Sequence, residues 1–165
     1  MKPPFTYLGG KTAIAGKIAA LLPQHEHYVE THAGSPAAAR LRDVSLECSD
    51  ALEMVARYGR GERTLLYVDP PYLESVRAKC SGGRSRGPYY VHETRTDAEH
   101  GELLDALLGC KSAVVLSGYP SQLYDTALAG WHRREIPTQT GNGGEDRDRT
   151  EVIWSNRPFP DGTLF

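Results

Sequence analysis

Thr64-Leu65-Leu66-Tyr67-Val68-Asp69-Pro70-Pro71-Tyr72 is the stretch whose reading decides the fold. Its first five residues form an apolar run of strand length, the pattern of a strand buried on both faces. Proline lacks an N–H and fixes φ, so Pro70-Pro71 must end that strand and stiffen the turn after it. A rigid strand end is the bland reading. The functional reading is that one turn delivers a carboxylate, a carbonyl, a stiff backbone and an aromatic face to a single point.

Outward from that strand, helical and strand patterns alternate. Gly9-Gly10-Lys11-Thr12 opens a helix whose inner face is Ile14, Ile18, Leu21 and Leu22, and Pro23 ends it. His27 to Thr31 reads as a strand and Ala33-Gly34-Ser35 as a tight turn. Ser35 then caps a short helix over Ala37 to Arg42, with Pro36 at its first position. Val44 to Cys48 alternates like a second strand. Asp50 caps a helix through Tyr58, with Leu52 and Val55 inward. Thr96-Asp97-Ala98-Glu99 is a capping box that starts a helix with Leu103, Leu104, Leu107 and Leu108 on its inner face. Ser112 to Leu116 is an apolar strand, Ser121 to Ala129 a helix, and Trp131 to Ile136 and Glu151 to Ser155 the last two strands. Gln139 to Arg149 between them is a polar, Gly-rich loop.

Strands alternating with helices predict an α/β fold with a mostly parallel sheet. The last two strands have no helix between them and predict an antiparallel edge. Ligands of such sheets bind at the carboxyl ends of the strands. Ala33-Gly34-Ser35, Asp50 and Asp69 all fall at such ends and line one crevice.

At 165 residues the chain is expected to be one domain, residues 1–165, long enough to bury a core without staples. Its net charge of -2 is no global signature of a nucleic-acid binder. The local balance differs: between Ser75 and His92 stand Arg77, Lys79, Arg84 and Arg86 and no acid. That stretch reads either as a solvated loop or as a phosphate-contacting one beside the Asp-Pro-Pro-Tyr turn. Cys48, Cys80 and Cys110 show no metal spacing, which suggests a reducing compartment. His25 and His27 lack a partner cluster, so no metal site is expected. No apolar run approaches a membrane span, and the N-terminal residues lack the apolar region of a signal peptide. Together these point to the cytoplasm. Gly10-Lys11-Thr12 fails as a phosphate loop, because Phe5 stands where the first glycine belongs and no strand precedes it.

The turn suggests a chemistry. An aromatic exocyclic amine is a poor nucleophile, because its lone pair is delocalised into the ring. Asp69 and the Pro70 carbonyl can each accept one of its N–H groups, favouring pyramidal nitrogen and aiming the lone pair at an electrophilic methyl. Tyr72 offers a stacking face for a base taken out of a duplex. A small-residue turn at Ala33-Gly34-Ser35 lets backbone approach a nucleotide-like cofactor. With no covalent nucleophile in view, S-adenosylmethionine is the natural methyl donor. The same geometry suits adenine N6, cytosine N4, guanine N2 of RNA or a glutamine amide.

Six segments occur in an order that resembles the Dam-like (D12 class) DNA adenine-N6 methyltransferases. They are Phe5 to Lys11, Tyr28-Val29-Glu30 with Ala33-Gly34-Ser35, Asp50-Ala51-Leu52, Asp69-Pro70-Pro71-Tyr72, Leu116 to Tyr119, and Thr150 to Trp154. The resemblance covers nearly the whole chain. It implies the Rossmann-like methyltransferase fold, S-adenosylmethionine as cofactor and DNA as partner. It implies Tyr7 against the cofactor, in place of the family's usual tryptophan. It also implies Lys11, Glu30, Ala33, Gly34, Ser35, Asp50, Ala51 and Asp69 as cofactor contacts, and Asp69 to Tyr72 as the catalytic turn.

Two departures stand out. Glu30-Thr31-His32 replaces the family's Glu-Pro-Phe. An interval between Ser35 and Arg42 is missing; in the family it holds a strand, an acidic turn for the cofactor ribose and the target-recognition region. The join left here is near the lower limit for a parallel crossover, about a dozen residues. Loss of the ribose contacts is expected to weaken cofactor binding by about 1.5 to 3 kcal/mol. Loss of the recognition region leaves little sequence discrimination, unless a partner subunit supplies it. A remnant without catalysis is the competing expectation.

Overall fold

The computed structural model describes residues 11, 14–32, 47, 49–73, 96–139 and 148–161. Within them lie four helices, α1 (Ala15–Leu21), α2 (Ala51–Tyr58), α3 (Asp97–Leu108) and α4 (Gln122–Ala127). Five strands accompany them: β1 (His27–Glu30), β2 (Thr64–Val68), β3 (Ala113–Gly118), β4 (His132–Gln139) and β5 (Asp148–Ser155). They form one sheet in the order β1-β2-β3-β5-β4. The β1–β2 and β2–β3 pairs are parallel, and the β3–β5 and β4–β5 pairs antiparallel. One strand, β5, therefore runs against the other four. The result is a mixed, mostly parallel sheet flanked by helices.

Side-chain alternation sorts the core into two layers. Leu66 and Val68 of β2, Val114 and Leu116 of β3, and Val152 and Trp154 of β5 pack with Val55 of α2, Leu103, Leu104 and Leu107 of α3, and Tyr124 of α4. Leu65 and Tyr67, Ala113 and Val115, and Ile153 face the other way, onto Ile14, Ile18 and Leu21 of the α1 segment. Strands β2 and β3 are buried along their whole length, as their unbroken apolar runs require.

Local signals account for the helix starts. Asp50 accepts a hydrogen bond from the Leu52 N–H at 2.8 Å, and Thr96 with Glu99 closes the expected capping box. Two inward assignments are corrected. Leu52 is 36% exposed, because the buried stripe of α2 runs through Met54, Val55 and Tyr58, and Leu52 sits roughly 110° around the helix from its centre. Leu108 is 48% exposed, and His100 takes the inward place with Leu103, Leu104 and Leu107. The last two strands are longer than their apolar cores suggested: Thr138-Gln139 and Asp148-Arg149 pair across the hairpin. The expected helix over Ala37 to Arg42 lies outside the described residues. So does the expected strand over Val44 to Cys48, except for Glu47, which is in no strand and bonds Arg57 and Tyr58 instead.

Candidate functional site

The direction of β5 builds the site. Because β5 is antiparallel to β3, its middle lies beside the carboxyl end of β3, where Ser117 pairs with Ile153 and Gly118 with Val152. Alternation then brings Glu151 to the face that carries Tyr67, Ser117 and α1. Asp69 follows β2 by one residue, two beyond Tyr67, and shares that face. Lys11 precedes α1 and reaches into the same corner.

The Lys11 ammonium is the hub. It lies 2.6 Å from Glu151 Oε1 and 3.0 Å from Asp69 Oδ1, and it donates to the Tyr72 hydroxyl at 3.3 Å. The side chains of Lys11 and Glu151 are nearly covered, and that of Asp69 is 25% exposed. The Ser117 hydroxyl oxygen is 2.9 Å from the Tyr67 hydroxyl. Tyr72 stacks on Tyr119 with ring centroids 4.2 Å apart and planes inclined by 25°. Pro70, Pro71, Tyr72, Leu73, Ser117, Gly118, Tyr119 and Tyr124 line a shallow crevice there.

Charge is unbalanced in this corner. Burial alone would lower the lysine's pKa, but Asp69 and Glu151 together overcome it and hold Lys11 charged, above the usual lysine range. Burial raises Asp69, and Lys11 and Ser117 only partly offset it. Burial also raises Glu151, with the Asp69 charge adding to it, and Glu30 at the end of β1 is raised by burial and by Asp69. Lysine and carboxylates shift upward together for one reason: Asp69 and Glu151 share one cation where water is scarce, and Glu30 adds a further acid beside Asp69. Such a donor set fits a positively charged group.

A second polar cluster sits beside the crevice. The Tyr124 hydroxyl is 2.7 Å from His100 Nδ1, both residues being buried. His32, just past β1, is held neutral, its pKa lowered to about 4 by burial and by His100 against a weaker pull from Asp50. His32 Nε2 is buried and has no hydrogen-bond partner.

No family model matches the chain, and no curated protein matches it.

Of the residues expected from sequence, Lys11, Asp69 and Tyr72 are in direct contact, with Pro70 and Pro71 in the crevice wall. Glu30 joins them through its electrostatic coupling to Asp69. Asp50 caps α2 and Ala51 begins it. Tyr7, Ala33, Gly34, Ser35, Arg77, Lys79, Arg84 and Arg86 lie outside the described residues. Sequence reasoning did not assign Glu151, Ser117, Tyr67 or Tyr119 to the site. A usable signal was present for Glu151: it is the one acid in the run Glu151 to Ser155, which is otherwise apolar but for its terminal serine. Among the described residues there is no cluster of three or more His, Cys, Asp or Glu able to hold a metal ion, and no helix long and apolar enough to cross a membrane.

Proposed function

We propose that this chain is a shortened, Rossmann-like, S-adenosylmethionine-dependent DNA methyltransferase that modifies adenine N6. One observation carries the reading: Asp69 and Tyr72, at the carboxyl end of a central parallel strand, are held by one buried lysine beside a second tyrosine ring. The strand order, with one reversed strand between β3 and the edge, supports it.

Each residue has a task under this reading. Bound S-adenosylmethionine supplies an electrophilic methyl group on a cationic sulfur. The acidic surplus of Glu30, Asp69 and Glu151 over Lys11 favours that charge, and the segment from Glu30 to Ser35 with Asp50 and Ala51 would hold the cofactor. Asp69 accepts one N–H of the target amine and the Pro70 carbonyl the other, so the nitrogen lone pair is freed for in-line attack. The Pro-Pro pair keeps that carbonyl from turning. Tyr72 and Tyr119 offer ring faces for the extruded base. S-adenosylmethionine held there would supply the methyl carbon, its sulfur keeping the electron pair of the bond that breaks, and the methylated amine would lose one proton to solvent. DNA would be engaged by Arg77, Lys79, Arg84 and Arg86, and sequence choice by a partner subunit.

Transfer of labelled methyl from S-adenosylmethionine to DNA by the wild type and by Asp69→Ala is the direct test. Label on adenine with the wild type and none with the variant is expected. Equal labelling by both, or none by either, sinks the reading. Nuclease digestion of the product separates adenine N6 from cytosine N4. Titration calorimetry with S-adenosylmethionine and assays on duplexes of different sequence test the missing interval: weaker than micromolar affinity and little site preference are expected.

A further inference from the structure

We propose that Glu151 is a positioning residue for the catalytic turn: by sharing the Lys11 ammonium, it keeps Asp69 from being locked into a one-to-one ion pair and available to the target amine. This inference rests on the methyltransferase reading and extends it to a residue in the last strand.

The geometry carries it. The ammonium is closer to Glu151 (2.6 Å) than to Asp69 (3.0 Å), and Glu151 is the more deeply covered of the two acids. A lysine facing a single buried carboxylate would neutralise it and consume its best acceptor direction. With Glu151 as the first partner, Lys11 only tethers Asp69. A carboxylate has about four acceptor sites, and Lys11 occupies one of them on Asp69. The backbone around Glu151 is fixed as well: Glu151 pairs with Ile136 of β4, and the next residue, Val152, pairs with Gly118 of β3. Two consequences follow: Asp69 is held by Lys11 without being its first partner, and it retains basicity as an acceptor next to Pro70 of the crevice wall.

The groups that bear on Asp69 come from every side of the corner. Lys11 precedes α1; Glu30 and Tyr28 are on β1; Tyr67 and Tyr72 flank the turn; Tyr124 is on α4; Glu151 is on β5. Among the described acids that couple to Asp69, Glu151 is the one bonded to the same lysine.

Two readouts on wild type and Glu151→Gln test the inference. The first is carbon-13 NMR titration of the Asp69 side-chain carboxyl, which needs no catalysis. Its midpoint is expected to move to lower pH by about one unit in the variant, because a like charge has gone and Lys11 is left to Asp69 alone. The second is the pH profile of methyl transfer. The variant is expected to lose about tenfold to a hundredfold in kcat, with KM for DNA within about twofold and the acid limb shifted down. An unchanged Asp69 midpoint overturns the inference, whatever happens to the rate. A shifted midpoint in a protein whose wild type transfers no methyl upholds the role of Glu151 and overturns the methyltransferase reading instead. If Glu151→Gln does not fold, Glu151→Asp serves: it keeps the charge on a side chain one methylene shorter, so kcat falls while the acid limb stays in place, and a displaced limb counts against the proposal.

Discussion

The two ends of β3 are finished in opposite ways. At its start, a neutral side chain pairs with the backbone: Asn156 Oδ1 accepts from the Val114 N–H at 2.8 Å, and Asn156 Nδ2 donates to the Ser112 carbonyl at 2.9 Å. The Asn156 N–H then returns to the Val114 carbonyl at 3.3 Å, so one residue clips β5 to β3. At its other end, Ser117 sits among one cation and an excess of acids, and burial works against their charges. The first arrangement lowers the energy of the fold. The second opposes it through burial of charge, which is in keeping with the proposed function.

The comparison makes predictions of different size. Asp69→Asn strikes the strained end. Methyl transfer is expected to fall by about a hundred- to a thousandfold, the usual cost of one placed polar group. The melting temperature is expected to hold or rise, since the amide removes a charge that burial disfavours and leaves Lys11 paired with Glu151. A large fall in melting temperature, measured by circular dichroism, would mean the two ends do not differ as described. Asn156→Ala strikes the satisfied end. It strands a buried N–H and a carbonyl, so urea unfolding should show a loss of about 3 kcal/mol, while transfer per folded molecule is unchanged.

The pH dependence sharpens the contrast. His32 is held neutral in the folded state down to about pH 4, whereas the unfolded chain takes up that proton near pH 6.5. Stability from this residue is therefore present above pH 6.5 and is lost as pH falls through that window. At pH 5 the loss is about 2 kcal/mol. The acids of the site have raised pKa values and work in the opposite direction, so the informative quantity is the difference between wild type and His32→Phe. That difference should shrink by this amount on going from pH 7 to pH 5, as measured by urea unfolding, and a difference independent of pH would contradict it. The smallest effect is at the cap of α3: Thr96→Ala should cost about 1 kcal/mol at any pH in the range, by the same measurement.

Much of the fold was legible because its signals are local. The run from Thr64 to Val68, the capping box at Thr96 and the Asp50 cap each specify structure within a few residues, and each is found where the sequence placed it. Leu52 and Leu108 were misread because a helical stripe is about 100° wide or more, and residues at its margin are decided by what lies opposite. His100 displaced Leu108 from the interior because Tyr124, far along the chain, supplies its hydrogen-bond partner. The site was legible in the same uneven way. Asp69 and Tyr72 were readable together as one turn and Lys11 only as a cofactor contact implied by the resemblance, while the place of Glu151 depends on β5 entering beside β3 in reverse. No spacing within one segment reveals that.

The ion pair between Lys11 and Glu151 joins residues 140 positions apart. During synthesis the lysine emerges from the ribosome long before its nearer acid. A nascent chain that stops short of β5 carries Lys11 facing Asp69 with no second carboxylate, and the interior strand between β3 and β4 is also missing. Assembly of this centre is therefore a late event, reached only when the closing strand has docked, and C-terminal truncation would abolish it before touching the residues of the turn itself.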